Sequence, residues 1–144
     1  MYLTTRPIAP EQFAAENADS LSVLSAISFE RVPSRWEERP VRVFQCEAYE
    51  EMAEKLIGRI VSSGFSQWHV GNLRFVHRLG TLRPGDTLLA LEVKARVLAA
   101  AYEASRYFLQ EIATAVPIWK KICFEDGTGK WLPSDPQLSL RASS

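Results

Sequence analysis

Two lysines, Lys120 and Lys121, close the run Val116-Pro117-Ile118-Trp119-Lys120-Lys121. Proline removes a backbone donor, clashes with the preceding turn and pushes Val116 into an extended conformation, so the chain must turn there. Lys120 is thereby delivered at a fixed place just beyond the end of a helix. An ammonium held in place can bind an anion or stabilise developing negative charge; the bland alternative is a solvated strand lysine. A second set of cations, Arg31, Arg35 and Arg39, sits between Glu30 and Pro40 with Pro33, Trp36, Glu37 and Glu38. That segment reads as a loop, too polar and proline-broken for a regular element, and its arginines are either anion ligands or an ordinary charged surface.

Other chemistries find little support. His69 and His77 are the only histidines and no nucleophile elbow accompanies them, which argues against a hydrolase triad. His77 reads as a strand residue whose ring finds a hydrogen bond. Gly80, Gly85, Gly127 and Gly129 form neither GxGxxG nor GxxxxGK[ST] ahead of a helix, so no phosphate-cradling loop is present. Cys46 and Cys123 lack ligand spacing and read as reduced core thiols, giving no metal site and no disulfide. Seventeen basic side chains balance seventeen acidic ones, which speaks against a nucleic-acid surface while leaving room for a local pocket for one small anion. With no signal segment and no apolar run approaching a membrane span, the expected setting is cytoplasmic.

The elements that must hold these residues are readable in order. At 144 residues, 47% apolar and 24% charged, the chain fits one domain over residues 1–133, with a flexible tail over 134–144. A short strand in Tyr2–Ala9 leads to a helix from Pro10 to Glu16. Strands follow at Leu21–Phe29 and Val41–Ala48; in the second, Val41, Val43, Gln45 and Glu47 point one way and Arg42, Phe44, Cys46 and Ala48 the other. Met52, Leu56 and Ile60, flanked by Ala53, Ile57 and Val61, predict an amphipathic helix over Tyr49–Ser63 stopped by Gly64. Trp68–Leu79 and Thr87–Val93 read as an antiparallel pair around the Arg83-Pro84-Gly85-Asp86 turn. A second long helix runs from Arg96 or Val97 to Ala115 on a stripe of Leu98, Ala101, Tyr102, Ser105, Phe108, Ile112 and Ala115. Ile118–Phe124 and Lys130–Leu132 complete the strands. The whole is an α+β domain with a mostly antiparallel sheet and two main helices.

One ordered set of residues goes further. His77-Arg78-Leu79-Gly80, Leu82, Pro84-Gly85-Asp86, Ala101-Tyr102-Glu103-Ala104 and Val116-Pro117-Ile118-Trp119-Lys120-Lys121 resemble the catalytic large subunit of the molybdopterin synthase family. Glu47-Ala48-Tyr49, followed by Met52, resembles that family's Glu-His-Tyr segment. The likeness runs from Val41 to Leu132. It implies an α/β hammerhead-like fold, a homodimer and a small ubiquitin-like sulfur-carrier subunit as partner. The implied reaction moves sulfur from the carrier's C-terminal thiocarboxylate to a pterin phosphate substrate, cyclic pyranopterin monophosphate, without metal or other cofactor. Lys120 is the implied catalytic lysine; Arg31, Arg35, Arg96, Lys121 and Lys130 are candidate substrate-binding cations.

The departures from the family pattern are specific. Its second essential lysine falls on Ala113, its His-Arg pair on Val97-Leu98, and its loop arginine near Pro33. Arg96 and Lys94 near Val97, Arg31 and Arg35 near Pro33, and Arg106 seven residues before Ala113 are the nearest substitutes, the last about 10 Å away along the helix. A catalytically degraded paralogue that keeps the fold as a binding or regulatory subunit is the alternative to an active enzyme.

Overall fold

Period-two apolar runs and two amphipathic segments fold into two sheets and a pair of long helices. The computed structural model describes residues 1–16, 24–68 and 70–133. In chain order the elements are β1 (Leu3–Thr4), α1 (Pro10–Ala15), β2 (Leu24–Arg31), β3 (Arg35–Trp36), β4 (Arg39–Ala48), α2 (Glu50–Trp68), β5 (Asn72–Arg78), β6 (Gly80–Leu82), β7 (Thr87–Ala95), α3 (Leu98–Ala115), β8 (Ile118–Phe124) and β9 (Gly129–Leu132). The first sheet has the order β1-β5-β7-β2; the second has β3-β4-β8-β9, with β6 also on β4. Among the described residues, only the β1–β5 pairing is parallel. This is the expected α+β, mostly antiparallel architecture. Residues 21–23 of the expected second strand and the tail over 134–144 lie outside the described residues.

β7 is buried along its whole length because both of its faces are covered. On one face Leu89, Leu91 and Val93 align with His77, Phe75 and Leu73 of β5, and Phe75 meets Phe108 of α3 edge-on at 4.9 Å. The other face receives α1. There Phe13 meets Phe29 edge-on at 6.0 Å, and Arg74 lies 4.3 Å over the Phe13 ring. Arg74 also pairs with Glu92 at 2.8 Å and donates to the Phe13 carbonyl at 2.7 Å. A carboxylate as buried as Glu92 is tolerable only with such a partner.

Several expectations need correction. Residues 30–40 are not a loop: β2 extends to Arg31, and β3 pairs with β4 through Arg35–Pro40 and Trp36–Arg39. Trp36 is buried and pins the hairpin, a packing term that polar composition hides. Gly64 does not stop α2, which runs on to Trp68. The Trp68 ring packs 4.8 Å from Tyr107 of α3, and Tyr107 donates to the Ser63 hydroxyl, so tertiary contacts carry the helix past the glycine. Trp68 is therefore helical and β5 begins at Asn72. The buried face of α2 is Ala53, Ile57, Ile60, Val61 and Gly64; Met52 is half exposed. Likewise Leu98 and Tyr102 of α3 face out, while Ala104 joins the core. In β4 a register shift between Val41 and Val43 puts Val41 on the buried side with Phe44 and Cys46.

Candidate active site

The proline break works as the sequence implies. Val116 is extended (φ −96°, ψ 132°) and ends α3. The Pro117 carbonyl then accepts from the Tyr49 N–H at 3.1 Å, joining the start of β8 to the start of α2. Lys120 sits opposite Cys46 of β4 and opposite Leu132 of β9. Opposed residues share a sheet face, so half-buried Lys120 lies on the inward side with Ile118 and Ile122. Its neighbour Lys121 takes the outward side, opposite Gln45 and Trp131, with its ammonium 5.7 Å from the Trp131 ring centroid.

Around Lys120 the two sheets bring together groups from four strands. In the second sheet, Gly80, Cys46 and Lys120 form a row across β6, β4 and β8. In the first, Glu30, Leu89 and His77 form a row across β2, β7 and β5, on the face that α3 covers. The rows meet electrostatically. Burial pushes the Cys46 thiol up to about 11 from an ordinary 9.0; Lys120 pulls it down, Glu30 pushes it up and Arg78 pulls it down. Burial, and then the charge on Lys120, hold the His77 imidazole down at about 3 against its usual 6.5. The His77 Nδ1–H donates to the Arg78 carbonyl at 2.8 Å, which fixes a neutral ring with Nε2 unprotonated. The site thus holds an ammonium, a carboxylate, a guanidinium, a neutral imidazole and a protonated thiol.

A clasp of backbone and side-chain bonds holds that corner. Arg78 pairs with Asp86 at 3.3 Å. Asp86 in turn accepts the Arg83 N–H at 2.9 Å, and its own N–H reaches the Arg83 carbonyl at 3.0 Å. Gly85 (φ +91°) supplies the left-handed residue that a Pro-Gly turn of this kind needs. The turn is tied to the end of β2, Gly85 N–H to Val32 O at 2.8 Å and Val32 N–H to Asp86 O at 2.9 Å. His77-Arg78 and Pro84-Gly85-Asp86 are therefore one structural unit that sets Glu30 and His77 in register.

The remaining candidate cations are dispersed. Arg31 ends β2, exposed and opposite Thr87. Arg35 is exposed on β3 and donates to the Glu38 carbonyl at 3.4 Å; exposed Lys130 pairs with Glu37 at 3.1 Å. Arg96 is exposed just before α3, and Leu98 and Ala113 are separated by about 22 Å along that helix, at ~1.5 Å per residue. Arg96 and the Ala113 end of α3 thus do not meet within one chain. Val97, Leu98 and Tyr102 are largely exposed apolar residues at the helix start. His69 lies outside the described residues. Among the described residues no three His, Cys, Asp or Glu side chains converge as metal ligands, and no helix is long and apolar enough to cross a membrane. From its sequence Glu30 opens a polar loop; its place in β2, aligned with Leu89 and His77, is a tertiary fact.

A family model described as MoaE protein matches residues 3–115. The chain belongs to the MoaE family. It is 30% identical over 137 residues, 92% of this chain and 86% of the relative, to the molybdopterin synthase catalytic subunit of Mesorhizobium japonicum. To that of Salmonella typhimurium it is 31% identical over 104 residues, covering 70% and 69%. Among solved structures it resembles molybdopterin synthase from Staphylococcus aureus, with 27% identity and a TM-score of 0.82 over 91% of this chain and 95% of that one. The fold is shared at 13% identity, with a TM-score of 0.73 over 92% and 88%, by a complex of subunits 1 and 2 of molybdopterin-converting factor from Helicobacter pylori. The MoaE family match ends at residue 115, before Lys120.

Proposed function

We propose that this MoaE chain is a molybdopterin synthase large-subunit homologue of molybdenum cofactor biosynthesis. It moves sulfur from the C-terminal thiocarboxylate of a small ubiquitin-like carrier to cyclic pyranopterin monophosphate, building the dithiolene of molybdopterin. The observation that carries this reading is Lys120: in a MoaE chain, a half-buried lysine is delivered by the Val116-Pro117 break onto the inward face of β8, among Cys46, His77, Arg78 and Glu30. Lys120 contacts the carrier's terminal carbonyl and polarises it as sulfur leaves. Arg31, Arg35, Arg96, Lys121 and Lys130 supply charge for the carrier and the substrate phosphate. The breadth of likeness to relatives that are molybdopterin synthase catalytic subunits supports the assignment. A two-subunit complex among the structures of the same fold supports a carrier partner. The length of α3 supports a homodimer, since Arg96 can join a site at its far end only from a second copy. The acting unit is a single domain over residues 1–133, working in the cytoplasm.

Reconstitution tests this. The purified chain, a thiocarboxylated carrier and the pyranopterin substrate should give dithiolene product; no product, where an active relative turns over, overturns the assignment. Ala113, Val97 and Leu98 favour the second reading, a binding subunit that has lost turnover, and carrier binding without product identifies that case.

A further inference from the structure

Lys130 differs from the other dispersed cations in the face it occupies. It stands opposite Ile122, and Leu132, two residues on, stands opposite Lys120. Ile122 is wholly buried on the inward side of β8, so Lys130, Leu132 and Lys120 project from that side while Trp131 and Lys121 project from the other. Lys120 and Lys130 are therefore diagonal neighbours on one face, about 7–8 Å apart and within reach of each other's long side chains. An anion already sits beside Lys130: the Glu37 carboxylate, 3.1 Å away on the turn between β3 and β4. Glu37 reaches it from a left-handed backbone position, φ 50°, the kind of strain that persists only where surrounding contacts impose it. Arg39, the next cation at this end of the sheet, is engaged by Asp126 and Thr128 and lies over Phe124. Among the described residues Lys120 is in no ion pair.

We propose that Lys120 and Lys130 form an oxyanion-binding pair on the inward face of β8 and β9, with Glu37 as a built-in competitor that Lys130 releases when a ligand arrives. Two ammonium groups on one face repel each other, and a single oxyanion between them removes the repulsion while accepting a hydrogen bond from each. The exchange is easy because both partners of the Lys130–Glu37 pair are about half exposed, and such pairs hold weakly. The ligand class is a phosphate ester or a terminal carboxylate, groups whose several oxygens accept donors from two sides at once. That the anion is the substrate's phosphate or the carrier's terminus rests on the sulfur-transfer reading; the lysine pair itself does not.

The test titrates the full chain at low ionic strength with inorganic phosphate, and separately with an N-acetylated dipeptide whose free end is a carboxylate, following the backbone amide shifts of β8 and β9. Lys120→Met and Lys130→Met should each weaken binding of the preferred anion roughly three- to tenfold, the loss expected for one charge-assisted contact at a partly exposed site. Glu37→Gln should tighten it roughly two- to fivefold, because the competitor is gone. Glu38→Gln removes the same charge next door, from a side chain that does not touch Lys130, and should leave the affinity nearly unchanged. In a Lys130→Met background Glu37→Gln should lose its effect, which separates a direct contact from a general change of charge. The anion for which the lysine variants cost more is the one the pair takes. Affinities for both anions indifferent to Lys130→Met, or raised equally by Glu37→Gln and Glu38→Gln, overturn the proposal. Binding that follows the expected pattern in a chain that makes no dithiolene upholds the pair and sinks the assigned reaction. Dithiolene formation with both affinities indifferent to Lys130→Met does the reverse.

Discussion

Lys120 and Cys46 stand directly opposite each other across the β4–β8 ladder, an ammonium and a thiol on one inward face. The pairing does not activate the sulfur. Burial outweighs the pull of Lys120 and leaves the thiol up at about 11. Relative to an ordinary thiol at 9.0, the thiolate fraction near neutral pH falls about a hundredfold. A thiol reagent at pH 8 should accordingly modify Cys46 far more slowly in the native chain than in denaturant, with peptide mapping separating it from Cys123. Rapid native labelling of Cys46 would contradict this packing.

Replacing Lys120 separates the two faces of β8. Lys120→Met keeps the stem and deletes the charge, and should lower carrier-dependent sulfur transfer by about 10²–10³-fold, as loss of a donor to a developing oxyanion does. Lys121→Met, on the side of Trp131, should change it by no more than a few-fold. Near-ultraviolet dichroism of both variants should match the parent. Equal losses in the two would refute the division of roles.

His77 makes stability sensitive to acid. Its folded value, about 3, lies below the unfolded 6.5, so between those limits the unfolded chain binds the extra proton. The resulting stability is fully present above the unfolded value and is lost as pH falls from about 6.5 toward 3, by up to about 1.4 kcal/mol per pH unit. Asp126, held at about 2 by the Thr128 hydroxyl and N–H and then by Arg39, adds an acid loss that begins only below 3.8. Urea unfolding between pH 7 and pH 4.5 should therefore show a falling midpoint in the parent and a flatter one in His77→Gln. Parallel slopes would exclude His77 as the source.

The sequence was most legible where one local rule sufficed. Pro117 ended α3, Pro84-Gly85 made its turn, His77 found its hydrogen bond, alternation marked β4, and apolar strand-forming runs marked β5, β7 and β8. It misled where tertiary packing overrode local preference. Trp36 pulls a polar, proline-flanked stretch into a hairpin; Trp68 and Tyr107 carry α2 through Gly64; the shift at Val41–Val43 changes which residues of β4 are buried. The candidate site was half visible. Lys120 could be read from a motif, whereas Cys46 belongs to it only because β4 pairs with β8 and sets the two residues opposite each other.

Glu54 ties the first residues of the chain to α2. Its carboxylate accepts the backbone N–H groups of Tyr2 and Leu3, each at 2.8 Å at its shortest. The carbonyls of Tyr2 and Thr4 accept from the N–H groups of His77 and Leu79. Glu54→Ala leaves two donors without a partner and should cost about 1–3 kcal/mol. Hydrogen exchange at His77 and Leu79 should accelerate beyond the global change. Exchange unaltered at these two amides would show that β1 stays docked without the carboxylate.

The β3–β4 hairpin turns on two residues that resist its geometry. Glu37 and Glu38 have φ of 50° and 65°, the left-handed pair that a two-residue hairpin of this hand requires and that Asn-Gly supplies with least strain. The turn persists because its surroundings hold it: Trp36 is buried beneath it, Lys130 pairs with Glu37, and Arg39 pairs with Asp126 at 2.7 Å while stacking 3.7 Å over Phe124. The Glu38 side chain takes part in none of these contacts, and the bond it supports, from Arg35, goes to its carbonyl. Glu38→Gly should therefore relieve strain without breaking an anchor and raise stability by about 1 kcal/mol, less the extra freedom glycine gives the unfolded chain. Glu37→Gly relieves similar strain but releases Lys130, and should gain less. A melting temperature lowered by Glu38→Gly would mean that the strain is smaller than the entropy glycine adds.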